Sequence, residues 1–213
     1  RRFDDYEDVL KNKGRVILDR EERKEIVLTD AKQLCAAQNL ELVDDIGLLE
    51  EVAGLAEYPV VIMGDMDRSF LDLPPEVIKL SMRTHQKYFA VRAPGAKANE
   101  EGTEALAPHF ITVANIEAPD GGKAIAAGNA RVLSARLSDA QFFWSEDRKV
   151  PLAERLERLK GVTFHAKLGA MFERVERLEY LAREIAPMVG ADAEKAAQAA
   201  KKVAAPSPMA RNI

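Results

Sequence analysis

The stretch YPVVIMGDM, residues 58–66, decides the fold class. Val60, Val61, Ile62 and Met63 follow one another without a polar break. A strand with one face in water alternates polar and apolar residues, whereas an uninterrupted run predicts burial on both sheet faces. Helices must then cover the sheet, and the flanking sequence supplies them. Upstream, DIGLLEEVAGLAE reads as a helix. Before it, Asp19 followed three residues later by Glu22 resembles a capping box that opens a helix reaching about Gln38. The inner face of that helix is predicted at Ile26, Val27, Asp30 or Ala31, Leu34 and Cys35. RVILD (15–19) reads as a strand and residues 3–12 as a short helix.

Downstream, LPPEVIKLSMRTH places Pro74 and Pro75 to open a helix in its first turn. KYFAVRA (87–93) and HFITVANIE (109–117) read as two more strands. The turn-rich APGAKANEEGTEALAP between them reads as an exposed hairpin loop. Residues 1–150 are therefore expected to form an α/β (α+β) domain on a mixed sheet of at least three strands. Residues 151–205 read as an all-helical segment. Pro151 opens one helix. In LGAMFERVERLEYLAREI, Leu168, Phe172, Val175, Leu178, Leu181 and Ile185 fall on one stripe, with Glu173–Arg177 and Glu179–Arg183 pairs outside it. Residues 206–213 read as a tail.

The 213 residues are 47% hydrophobic and 31% charged, an ordinary globular composition. No apolar run approaches the ~20 residues of a membrane span. The first residues are acidic, lack a signal-peptide centre and carry no initiator Met, so the numbering is expected to begin inside a longer protein. The single cysteine, Cys35, allows no internal disulfide, which suits a reducing cytoplasm, and its apolar helical setting reads as core. Charge is uneven: residues 1–150 hold 20 Lys and Arg against 27 Asp and Glu (−7), and residues 151–213 hold 11 against 8 (+3). This balance argues against a strongly basic, free-standing RNA-binding domain.

Catalytic signals are sparse. His85, His109 and His165 stand far apart with no metal-ligand spacing, so no metal site is expected. There is no phosphate-binding glycine loop and no nucleophile elbow. Gly121 and Gly122 precede a helix, as anion-binding turns do, but read more simply as a helix entry capped by Asp120. In GNARVLSARLSDAQFFWSEDRK (128–149), Leu133, Leu137, Ala140 and Trp144 make one apolar stripe. Arg136 at its edge is expected to form a structural ion pair with Asp139, three residues on. Arg131 lies roughly 140° around the helix from Arg136, so the two cannot grip one phosphate track. Arg131, Arg148 and Lys149 are candidates for RNA phosphate contact, as are Arg83 and Lys87 at a helix-to-strand junction.

MRTHQKYFAVR, FITVANIE, GNARVLSARLSDAQFFWSEDRK and LGAMFERVERLEYLA, in this order, resemble the beta subunit of bacterial heterotetrameric glycyl-tRNA synthetase. The resemblance covers residues 1 to about 200 and implies an internal fragment. It implies an α/β portion like the editing-type domain of the phenylalanyl-tRNA synthetase beta chain, then the start of an HD-like helical domain. It also implies the partners: an alpha subunit in an alpha2beta2 tetramer, which carries the adenylation site with ATP and Mg, and tRNA(Gly). No catalytic residue and no cofactor is expected here, because the arginine pair of a class II adenylation site has no counterpart. AAPSPMARNI departs from the family pattern and contains no His-Asp dipeptide, so residues 206–213 either end the chain or resume beyond a gap. Two alternatives stay open: an editing-type hydrolase of mischarged tRNA, and a purely structural subunit-interaction module.

Overall fold

A computed structural model describes residues 2–95 and 105–207. The tail 208–213 and positions 96–104 of the expected hairpin loop lie outside the described residues. The chain divides into two compact units, residues 1–141 and 142–213. The division falls inside the long helix at 123–149, ahead of residue 150, where the sequence reading places it.

In the first unit α1 (Phe3–Val9) runs into a π-helical turn, Leu10–Gly14. RVILD is not a strand. Arg15 is left-handed at φ +54°, and Ile17 N–H donates to Glu57 O at 2.9 Å. Asp19 does cap α2 (Arg20–Ala37), accepting from Glu21 N at 2.8 Å, while Glu22 instead pairs with Lys11 at 2.5 Å. There follow β1 (Glu41–Leu42), α3 (Ile46–Leu55) capped by Asp45, and β2 (Val60–Asp65). Next come α4 (Pro75–Ser81) with its π turn Met82–Gln86, β3 (Phe89–Arg92) and β4 (Leu106–Ala114). Last is α5 (Lys123–Lys149).

The sheet order is β1-β3-β4-β2 and every pairing is antiparallel, so the expected mixed sheet is corrected. The reason is topological. β2 and β3 run in the same direction and are joined through helix, as in a parallel crossover. β4 inserts between them, so neither strand bonds to the other. β2 is thereby an edge strand, but its apolar run still serves two faces. Val61 and Met63 pack toward the main core, and Ile62, on the opposite face, would meet any Cβ on Gly122 at 2.7 Å. Pro108, which can donate no hydrogen bond, falls where the β3–β4 register shifts.

The core joins Val27, Ala31 and Cys35 of α2 and Leu48 and Val52 of α3 to Leu42, Phe89, Val91, Ala107 and Ile111 of the sheet. At ~25 cal/mol per Å² of apolar burial, each large side chain among them contributes about 1.5–3 kcal/mol. Burial pushes the Cys35 thiol pKa up, which makes it an inert hydrophobe. On the other face Phe110 stacks on Tyr88, centroids 4.8 Å apart, and lies so close to Gly64 that a Cβ there would sit 2.3 Å from the ring.

The second unit continues with α6 (Leu152–Arg155), a 3₁₀ turn (Leu156–Gly161), β5 (Thr163–His165), β6 (Gly169–Ala170), α7 (Met171–Ile185), another 3₁₀ turn (Ala186–Val189) and α8 (Ala193–Ala204). The β5–β6 hairpin corrects the all-helical reading. Leu168 lies in its turn, outside α7. Val175 is buried and Phe172 half-buried, whereas Leu178, Leu181 and Ile185 are exposed. The register of α7 is set by Leu156, Leu159, Met171, Phe172 and Val175, which pack together. Arg183 bridges to Glu179 at 3.3 Å as expected. Arg177 does not pair with Glu173; it donates to Leu168 O, and the Glu173 carboxylate accepts from Ala170 N.

Candidate nucleic-acid interface

Arg83 and Lys87 do share a junction. Lys87 ends the π turn in the left-handed conformation, φ +58°, and its ammonium caps Thr84 O at 3.3 Å. Both side chains are held by acids at α3. Arg83 Nε lies 3.3 Å from Asp45 Oδ2, and Lys87 Nζ lies 2.7 Å from Glu51 Oε1. They fasten the α4–β3 junction to α3. An RNA phosphate would have to displace a carboxylate from each, and the exchange of one anion for another gains little.

The same junction forms one wall of a cleft of about 320 Å³ lined by Asp44, Asp45, Glu76, Lys79, Arg83 and Tyr88 over an apolar floor. Among the described residues no Ser, Thr, Cys or His lines it. Burial raises the Tyr88 phenol above its ordinary pKa, which keeps it protonated. The described lining therefore shows carboxylates but no hydroxyl or thiol paired with a base.

On α5 the apolar stripe behaves as read: Leu133, Leu137 and Ala140 are buried and Trp144 is half-buried. Arg131 is exposed in the first unit, with no acidic partner among the described residues. Arg136 and Asp139 are both exposed, and no salt bridge of the described residues joins them. Water screens both, and a three-residue pair on an exposed helix gains only a few tenths of a kcal/mol. In the second unit Arg148 is exposed without an acidic partner among the described residues, and Lys149 is paired with Glu146.

Two further features qualify the sequence reading. The Gly121–Gly122 turn offers no vacant anion site, because Asp120 accepts from Gly122 N at 2.9 Å and from Ala124 N at 2.8 Å. Those bonds hold the Asp120 carboxyl below its ordinary pKa. Arg155, unremarked in the sequence, is the most buried cation among the described residues. It is 3% exposed, donates to Glu146 O at 2.6 Å and Val150 O at 3.2 Å, and lies 3.4 Å from Asp147. Its signal in the sequence is only its place one turn past Pro151, among apolar neighbours. Among the described residues no group of His, Cys, Asp and Glu is placed to hold a metal ion, and no helix is long and apolar enough to cross a membrane.

The relatives of this chain are subunits of aminoacyl-tRNA synthetases. It is 66% identical over 190 residues to the glycine–tRNA ligase beta subunit of Phenylobacterium zucineum (strain HLK1), covering 87% of this chain and 27% of that protein. It is 52% identical over 190 residues to the beta subunit of Rhodospirillum centenum (89% of this chain, 25% of that protein). It is also 52% identical over 204 residues to that of Ruegeria sp. strain TM1040 (93% and 28%). Residues 1–204 match the family described as glycyl-tRNA synthetase beta subunit, and the chain belongs to that family. It spans about a quarter of the length of the curated relatives it matches.

Proposed function

We propose that this chain is the portion of a glycyl-tRNA synthetase beta subunit that grips tRNA(Gly) and braces an alpha2beta2 complex in the cytoplasm. In this reading the alpha subunit forms the glycyl adenylate, using ATP and Mg. Residues 1–141 are a relative of the editing-type domain of the phenylalanyl-tRNA synthetase beta chain, used for contact, and unit 2 opens an HD-like helical region. The observation that carries the reading is the family match running over residues 1–204. Arg131 and Arg148, exposed and without acidic partners among the described residues, support it, since each releases counterions when it meets a phosphate.

The test is tRNA(Gly) binding by the complete alpha2beta2 enzyme, titrated against salt. Arg131→Gln and Arg148→Gln should each lower the slope of log K against log salt by about 0.9. Arg83→Gln and Lys87→Gln should change it by well under half of that, because their acids already neutralise them. Unaltered slopes for Arg131→Gln and Arg148→Gln would reject these contacts. An unsubstituted enzyme that binds no tRNA would reject the whole reading.

A further inference from the structure

We propose that the β5–β6 hairpin of the second unit, residues 163–170, is a stacking and phosphate-binding site for an unpaired nucleotide of RNA. This rests on the reading that the chain meets tRNA, but it places the contact at residues that the sequence reading does not single out.

The hairpin is rigid. Its three-residue loop is closed by Leu168 N–H donating to His165 O at 3.0 Å. Gly169 follows at φ +82°, the left-handed residue that three-residue hairpins require. A Cβ there would fall 1.4 Å from Glu173 Oε2, so any other residue would displace that carboxylate from the hairpin. That carboxylate accepts from Ala170 N at 2.9 Å, Arg177 donates to Leu168 O at 3.2 Å, and Met171 N donates to Val162 O at 2.7 Å. Both arms are thus tied to α7 and its approach, so little ordering entropy is lost on binding.

What this frame displays is aromatic and cationic. Phe164 is 39% exposed, and the Arg174 guanidinium lies 4.7 Å from its ring centroid. A ring and guanidinium stacked together form a platform on which an unpaired base can lie, since every base has a π face. His165 Nδ1 accepts from Lys167 N at 3.1 Å, which directs its ring proton to Nε2 as an outward donor. The ammonium of Lys167 and the guanidiniums of Arg158 and Arg174 have no acidic partner among the described residues. Nearby carboxylates are largely engaged, Glu157 by Lys160 at 2.6 Å and Glu173 by the hairpin backbone; Glu176 is exposed. The sign of the unit agrees. Residues 142–213 hold 13 Lys and Arg against 10 Asp and Glu, +3, while residues 1–141 hold 18 against 25, −7. A phosphate-bearing partner is favoured over an acidic or purely apolar protein surface by this combination of free cations with one aromatic face.

The experiment measures fluorescence anisotropy of the 213-residue chain with a labelled single-stranded RNA 12-mer and with a duplex of the same sequence, across salt. Phe164→Ala should weaken single-strand binding about fivefold to 150-fold, the range of one lost stacking contact, while Phe164→Tyr keeps it. Lys167→Gln and Arg174→Gln should each lower the single-strand salt slope by about 0.7. Circular dichroism that matches the unsubstituted chain confirms that each variant is folded, and Phe164→Tyr covers the case in which Phe164→Ala is not. The proposal is overturned by equal affinities of the unsubstituted chain, Phe164→Ala and Lys167→Gln. It is equally overturned by no binding up to about 100 µM, the weak end of non-specific association. Preference for the duplex, or loss of alpha-subunit capture without loss of RNA binding, overturns it in favour of another partner. Success of the Arg131 and Arg148 variants in the complete enzyme alongside failure here would remove this site and leave the broader reading standing.

Discussion

Replacing Arg155 by Met removes a buried cation without removing what it holds. Two carbonyls, Glu146 O and Val150 O, lose the Arg155 donor, and Asp147, whose side chain is 14% exposed, loses the Arg155 countercharge. Breaking one partner of a buried pair costs about 3–5 kcal/mol, because the other charge stays uncompensated. The second unit has about 70 residues, and domains of that size are stable by roughly 4–11 kcal/mol. The substitution therefore removes a large share of the total. Trp144, the only tryptophan, lies in this unit and is half-buried, so its fluorescence in urea follows this unit selectively. With a slope near 1 kcal/mol per M, the midpoint should fall by about 3 M or the unit should be unfolded without denaturant. Adding Asp147→Asn to Arg155→Met removes the stranded charge and should recover about 1–2 kcal/mol, with Ser207 still able to bond the amide. A midpoint shift below about 0.5 M for Arg155→Met would show that water reaches this ion pair and that the burial argument is wrong.

Gly64→Ala should destabilise the first unit by at least about 1–3 kcal/mol, since its Cβ must displace the fully buried Phe110 ring, whereas Gly54→Ala, in open space on α3, should stabilise it by up to about 1 kcal/mol. Thermal unfolding of the two variants checks this, and equal melting temperatures would contradict the packing. The start of α5 should be sensitive to acid. The folded Asp120 carboxyl has a pKa below its unfolded value of about 3.9, so its contribution is complete above that value and is lost as pH falls through the lower folded value. Amide-exchange protection at Gly122 and Ala124 should fall in that window in the parent chain and be low at every pH in Asp120→Ala; a pH-independent difference between the two would refute the assignment.

Much of the candidate interface is hidden from sequence because a cation's availability depends on where acids fall in space. Lys87 and Glu51 are 36 residues apart, and Arg83 and Asp45 are 38 apart, yet each pair is in contact. Arg136 and Asp139, three residues apart and expected to pair, are both exposed, and no salt bridge of the described residues joins them. Exposed side chains at helical spacing gain too little from pairing to fix their rotamers. The hairpin was legible in part. Val162, Thr163 and Phe164 favour strands, and glycines at 161 and 169 bracket them, but the apolar spacing from Leu168 onward imitated a continuing helix.

Local chemistry, read from the sequence alone, determined the helices that start at Asp19, Asp45 and Pro75, the strands around Ile62, Val91 and Ile111, and the buried stripe Leu133, Leu137 and Ala140. Caps, proline geometry and hydrophobic period act within a few residues, and so they can be read one window at a time. Only the tertiary structure decided the order of the sheet. The helix between β2 and β3 has the same sequence signature whether the two strands bond or are separated by a third. β4 is inserted between them because its two faces can be buried at once, Ile111 against α2 and α3 and Phe110 against Tyr88 and Gly64. That gain exists only after distant segments meet.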